Sequence, residues 1–183
     1  MYTIDNLEEI IKSCDRCQLC KTKKNYVISD GNISSNIMIV GEAPGKTEDE
    51  TGKVFVGPAG QLLDKMLGSI DLDRNKVYIT NILKCHPPQN RNPLPIEQEA
   101  CIEYLRWQFK IMKPKVVVLL GSVACKAMIN KDFAITKQHG KPIDIKGTIF
   151  LPTFHPSYLL RDPSKKKLAW QDLLVLKEII SNF

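Results

Sequence analysis

No stretch of this 183-residue chain approaches the roughly 20 consecutive apolar residues that cross a bilayer; Val116 to Leu120 is typical of its longest apolar runs. The opening residues MYTIDNLEEI lack both a basic head and an apolar middle, so no secretory signal or transmembrane segment is read and a cytoplasmic protein is expected. Internal repeats, low-complexity tracts and Gly/Ser-rich linkers are also missing, which leaves one domain over residues 1–183. The turn Gly41-Glu-Ala-Pro-Gly45 is not GxGxxG, and no Walker spacing with its Lys-Ser/Thr occurs, which argues against a phosphate cradle.

What is present reads as an ordinary globular domain, 43% hydrophobic and 25% charged. Lys and Arg number 26 against 20 Asp and Glu, a net charge of +6 that leans mildly toward a polyanionic partner such as nucleic acid. Six cysteines without a secretory signal point to metal or redox chemistry rather than structural disulfides. Three lie in Cys14-Asp-Arg-Cys17-Gln-Leu-Cys20, while Cys85, Cys101 and Cys125 are scattered.

The apolar pattern alternates between strand and helix. Asp5 with Glu8 suggests a capping box for a first helix carrying Leu7, Ile10 and Ile11 and ending inside the cysteine cluster. Strands are expected at Ile37–Val40, Val77–Thr80, Val116–Leu120 and Thr148–Leu151, and helices at Gly60–Ile70, around Ile102, Leu105 and Phe109, after a capping Ser122, and at Lys166–Ile180. Such alternation predicts an α/β fold, a three-layer α/β/α sandwich around a central four-stranded parallel sheet. Ligands of these sheets bind beyond the carboxyl ends of the strands. Those ends are Gly41-Glu42-Ala43, Asn81, Gly121-Ser122 and Phe154-His155-Pro156-Ser157.

Each residue there has a bland reading and a chemical one. Gly41 to Gly45 makes a tight turn, or lets a flat ligand approach exposed backbone N–H groups. Asn81 suits a turn, or offers a donor and an acceptor side by side to the edge of a base. His155 is structural, or a ring held at the ligand edge by a strand end and a proline. Phe55, between Gly and Pro, is a core residue or a stacking platform in a loop.

Taken in order, Gly41-Glu-Ala-Pro-Gly45 with Glu48-Asp49, Gly57-Pro-Ala-Gly-Gln61, Thr80-Asn-Ile-Leu-Lys-Cys85, Pro87-Pro-Gln-Asn-Arg91 and His155-Pro-Ser-Tyr-Leu-Leu-Arg161 resemble the uracil-DNA glycosylase superfamily, specifically its iron–sulfur family 4 branch. The resemblance spans almost the whole chain. It implies a monofunctional glycosylase that flips deoxyuridine out of single- or double-stranded DNA, hydrolyses the N-glycosidic bond and leaves an abasic site. The backbone of Gly41, Glu42 and Ala43 would contact uracil, Phe55 would stack on it, Asn81 would read its edge, and His155 would reach the O2 side. Glu48 falls where the thymine methyl is screened out. Ala43 stands where a better-known branch has a water-handling aspartate, which leaves Glu42 as the nearest candidate for that role. Leu159 or Leu160 would wedge into the gap left by the flipped base, and Arg161 and Lys165 would meet phosphates, with Lys166 and Lys167 beside them. The implied protein is a monomer.

The spacing Cys14-x2-Cys17 with two remote cysteines suits a tetrahedral zinc as well as an iron–sulfur centre. The resemblance assigns Cys14, Cys17, Cys85 and Cys101 to a [4Fe–4S] cluster with a structural role, leaves Cys20 out, and makes Cys125 a small buried hydrophobe. Two alternatives remain at this point. One is a cluster-bearing protein that binds damaged DNA or traps uracil through His86, although Cys85-His-Pro-Pro lacks the Arg-rich insertion of that branch. The other is a small dinucleotide-binding protein, disfavoured by the missing glycine fingerprint.

Overall fold

The structure, a computed structural model, describes residues 3–182. Its centre is a parallel sheet built from apolar runs that are buried on both faces. Strand β1 spans Ser29–Gly31, β2 Ile37–Gly41, β3 Tyr78–Asn81, β4 Val116–Leu120, β5 Ile143–Ile145 and β6 Thr148–Thr153, in the order β1-β3-β2-β4-β6-β5. The inner strands β3, β2, β4 and β6 are mutually parallel, as expected. Two short antiparallel strands, β1 on β3 and β5 on β6, extend the expected four to six. Ser29-Asp-Gly31 has no β-branched residue and Ile143-Asp-Ile145 barely alternates, so neither run announces a strand.

Side chains of period two divide the core between the two faces. Ile37, Ile39, Val116, Val118 and Leu120 point to one side, with Leu63 and Leu67 of α3 (Pro58–Gly68), Leu159 of α7 (Pro156–Arg161) and Leu173 and Leu176 of α8 (Lys166–Ile180). Met38, Val40, Val117 and Leu119 point to the other, with Leu7 and Ile11 of α1 (Ile4–Lys12), Tyr104 and Leu105 of α4 (Pro95–Met112) and Cys125 of α5 (Gly121–Met128). That is the three-layer sandwich. Among the described residues no helix is long and apolar enough to cross a membrane.

Helix ends correct the sequence reading in three places. Thr3, not Asp5, caps α1, its hydroxyl accepting the Asn6 N–H at 3.3 Å. Helix α1 stops at Lys12, before the cysteines, because Ser13 turns its hydroxyl back onto the Ile10 carbonyl. Ser122 lies inside α5, which begins a residue earlier at Gly121 and has no side-chain cap.

Candidate active site and cysteine cavity

The strand ends deliver their residues to one place. β2 and β3 run in register to Gly41 and Asn81, and β6 leads directly to His155, which caps α7. Asn81 and His155, with Glu42, Ala43, Glu48, Phe55 and Arg161, line a cleft of about 360 Å³, within the range of about 300–1,000 Å³ usual for small-molecule sites; Gly41 is buried behind them.

Gly41 lets its neighbours close in. A Cβ there would stand 2.3 Å from Asn81 Oδ1 and 2.6 Å from the Phe55 ring. Phe55 sits at φ +51°, left-handed backbone that a bulky residue adopts only when held. Arg74 does the holding. Its guanidinium donates to the carbonyls of Val54 (2.9 Å) and Phe55 and is anchored by Asp30 (2.6 Å) and Asp64 (2.9 Å). The Phe55 ring, 5% exposed, is both a core residue and a wall of the cleft, 5.8 Å from the His155 ring.

Asn81 is 1% exposed, and its Oδ1 is buried with no hydrogen-bond partner, the one such side-chain atom among the described residues. An unmet buried acceptor costs about 1–3 kcal/mol, which a ligand N–H would recover.

His155 is fixed in one tautomer. Nδ1 accepts the Ser157 N–H at 3.1 Å and faces the Ser157 hydroxyl at 2.8 Å, so the ring proton belongs on Nε2. Burial first, and then the positive charge of Arg161, holds the imidazole down at about 4, so it is neutral at pH 7. Gly121 makes room for it at φ +85°, where a Cβ would come within 2.9 Å of the His155 Cβ.

The two acids differ. Glu42 is half-buried at the cleft, its carboxyl pushed up by burial while Arg161 pulls it down. Glu48 lines the cleft too, but its Oε1 accepts the N–H groups of Val56 (2.9 Å) and Gly57 (2.7 Å) and so fixes the turn into α3. Leu159 is 1% exposed in the core and has no surface for a DNA contact, which leaves the 44% exposed Leu160 of the pair. Arg161 is exposed at the cleft, and Lys165 is half-buried in the turn between α7 and α8. The His86 Nδ1–H donates to the Pro44 carbonyl at 2.8 Å, which ties that ring to the first loop.

Ser157 lines the cleft from the strand end where the sequence puts it, whereas Asn90 and Arg91, given no role by the motif that contains them, line it as well. Asn90 has φ +54°, a conformation Asn tolerates better than most, and its place in a proline-rich loop was the available signal. Lys84 was missed for a different reason, since a lysine in a strand-end loop ordinarily faces water. Here it is 1% exposed, and burial lowers its pKa to about 7.

On the far side of the same loop, Cys14, Cys17, Cys20, Cys85 and Cys101 surround a second, small cavity with Leu19, Leu83, Glu97 and Ala100. Burial pushes the thiols of Cys17, Cys85 and Cys101 up, and neighbouring cysteines push further. A cationic centre would reverse that cost by stabilising thiolates. Among the described residues no group of three or more His, Cys, Asp or Glu is arranged to hold a single metal ion. Five thiols line one cavity, so the chemistry of the lining suits a thiolate-held iron–sulfur group; Cys20, which the resemblance leaves out, lines it beside Cys14, Cys17, Cys85 and Cys101. Cys125 is fully buried elsewhere in the core.

Residues 28–174 match the family model of the uracil DNA glycosylase superfamily. The chain is 43% identical to a type-4 uracil-DNA glycosylase of Thermotoga maritima, covering 98% of both chains. It is 40% identical to the type-4 enzyme of Pyrobaculum aerophilum, over 93% of this chain and 91% of that one. The Archaeoglobus fulgidus type-4 enzyme is also 40% identical, over 98% and 94%.

Proposed function

Because the chain belongs to the uracil DNA glycosylase superfamily, we propose that the cleft at the ends of β2, β3 and β6 receives a deoxyuridine turned out of DNA. The activity is that of a uracil-DNA glycosylase, hydrolysis of the N-glycosidic bond in DNA repair. Turning the base out costs a few kcal/mol, least in single strands or mismatches. Phe55 then stacks on it, and Asn81 accepts from uracil N3–H and donates to O4.

Bond cleavage leaves the electron pair on uracil N1, with charge spreading to O2. The neutral His155 donates from Nε2 toward that oxygen, together with backbone N–H groups of residues 41–43, as an oxyanion hole does. One such donor is worth about 3–4 kcal/mol. Water adds to C1′ of the cationic sugar and gives up a proton to Glu42. Leu160 fills the vacated stack, and Arg161 and Lys165 neutralise phosphates. Cys14, Cys17, Cys85 and Cys101 would hold a [4Fe–4S] cluster, which when bound clamps the segment after α1 to the loop after β3. One copy of the chain carries every residue named, in keeping with a monomer.

The observation that carries this reading is the unpaired Asn81 Oδ1, an acceptor awaiting an imide N–H. Incubation with a single-stranded oligonucleotide containing one deoxyuridine tests it. Free uracil should appear over many turnovers, with a strand that breaks on alkali. A covalent complex on a denaturing gel and no free base would instead select a trapping protein. Purified protein should be brown and carry about four irons per chain; a colourless protein with one zinc would exclude the cluster.

A further inference from the structure

Lys84 buries its amine among hydrogen-bonding partners that are all neutral oxygens. Its Nζ donates to Thr80 Oγ1 at 2.6 Å, to the Asn81 carbonyl at 2.7 Å and to Gln108 Oε1 at 2.7 Å. Three acceptors thus surround the amine nitrogen. Its acceptors are themselves braced, Thr80 Oγ1 by donating to the Ile28 carbonyl (2.7 Å) and Gln108 by donating to Tyr78 Oη (3.0 Å).

The carbonyl it grips sits where the sheet stops. Past the Gly41–Asn81 pair only two backbone hydrogen bonds continue the β2–β3 contact, from the Ile82 N–H to the Gly41 carbonyl (3.0 Å) and from the Leu83 N–H to the Glu42 carbonyl (3.1 Å), and the Asn81 carboxamide has no partner on Oδ1 to orient it. The main chain beneath that carboxamide therefore bears on its direction, and Lys84 is the side chain that holds the Asn81 carbonyl itself. Lys84 is followed directly by Cys85 of the cysteine cavity, so the residue that grips the strand end stands between the two sites.

We propose that Lys84 is a positioning residue for base selection, holding the end of β3 so that the Asn81 carboxamide meets uracil in one orientation. This rests on the reading of Asn81 as the residue that reads the base. A misplacement of about 1 Å at such a contact can cost about 10²-fold in rate.

The test is a double-mutant cycle on the cluster-loaded protein, with Lys84→Met, Asn81→Ala and both together. Lys84→Met keeps the length and packing of the stem and removes the amine. It should lower kcat for uracil release by about 10–10²-fold with KM for DNA nearly unchanged. In the Asn81→Ala background it should cost no more than about twofold further, because the route through Asn81 is already gone. Visible absorbance and melting temperature report folding and cluster content separately from activity. If Lys84→Met is not obtained folded, Thr80→Val removes one of the three acceptors with its shape kept, and should show a smaller fall in kcat with the same dependence on Asn81. Full wild-type kcat in a folded Lys84→Met or Thr80→Val variant, or losses that simply add to those of Asn81→Ala, would overturn the proposal. Wild-type rates in Asn81→Ala alone would instead overturn the reading of Asn81.

Discussion

Residues 81 to 101 wall two cavities at once. Asn81, Asn90 and Arg91 face the cleft, while Cys85, Glu97 and Cys101 face the cysteine cavity. The cleft side leaves polar capacity unused, namely Oδ1 of Asn81 and the Nε2–H of His155. The loop between the two spends its polar groups internally. Lys84 saturates three acceptors, and Glu97 receives Arg91 at 2.5 and 2.8 Å together with the Leu94 N–H at 2.8 Å. Unused hydrogen bonds mark a surface waiting for a ligand, whereas saturated ones mark a frame. Variants in the cleft should then change chemistry without unfolding the chain, and variants in the cysteine cavity should do the reverse.

The sharpest break between the two regions is expected at Asn81. Asn81→Asp sets a carboxylate against uracil O4, and excision by the folded variant should fall by about 10³-fold or more. At most a weak activity on unpaired cytosine should appear, and Asn81→Ala should lose uracil without gaining cytosine. Wild-type rates and selectivity in both would assign base reading elsewhere. Next comes His155→Ala, for which kcat should drop about 10²–10³-fold while DNA affinity barely moves. Loss of affinity alone would reduce His155 to a DNA contact. Phe55→Ala should weaken base capture by about 1–3 kcal/mol, read from the dependence of rate on substrate concentration.

The cysteine side should answer differently. Cys14→Ser should give paler, less soluble protein with a lower melting temperature, whereas Cys20→Ser should keep its colour. Equal behaviour of the two would redraw the ligand set. At neutral pH the smallest effect is that of protonation, which grows only on acidification. Because folding lowers the His155 pKa from its ordinary value near 6.5 to about 4, the folded state refuses a proton that the unfolded chain accepts between those values. Its contribution to stability is complete above about 6.5 and declines as pH falls toward 4. Ring resonances of His155 in an NMR titration should shift near 4; a midpoint near 6.5 would show a solvated imidazole.

Much of the fold and the cleft is legible from residue order. Wholly apolar runs at Ile37 and Val116 announce strands buried on both faces, and a parallel sheet must bring the strand ends Gly41, Asn81 and His155 to one edge. What stays hidden depends on contacts remote in sequence. Nothing in Lys84 signals that Gln108, on α4, will accept from it. Leu159 and Leu160 are equivalent in composition, and only the docking of α7 on the sheet decides that the first is buried. The edge strands are invisible because runs of three residues, each with a central aspartate, are too short to carry a period.

Those same edges bear on how the protein behaves in a crowded cell. A parallel sheet of Val, Ile and Leu strands is the kind of template that recruits further strands from other molecules. Here β1 and β5 close its two sides with three residues apiece, an aspartate at the middle of each, Asp30 and Asp144. A growing fibril needs a long, flat, uncharged border to add to, and neither border offers one.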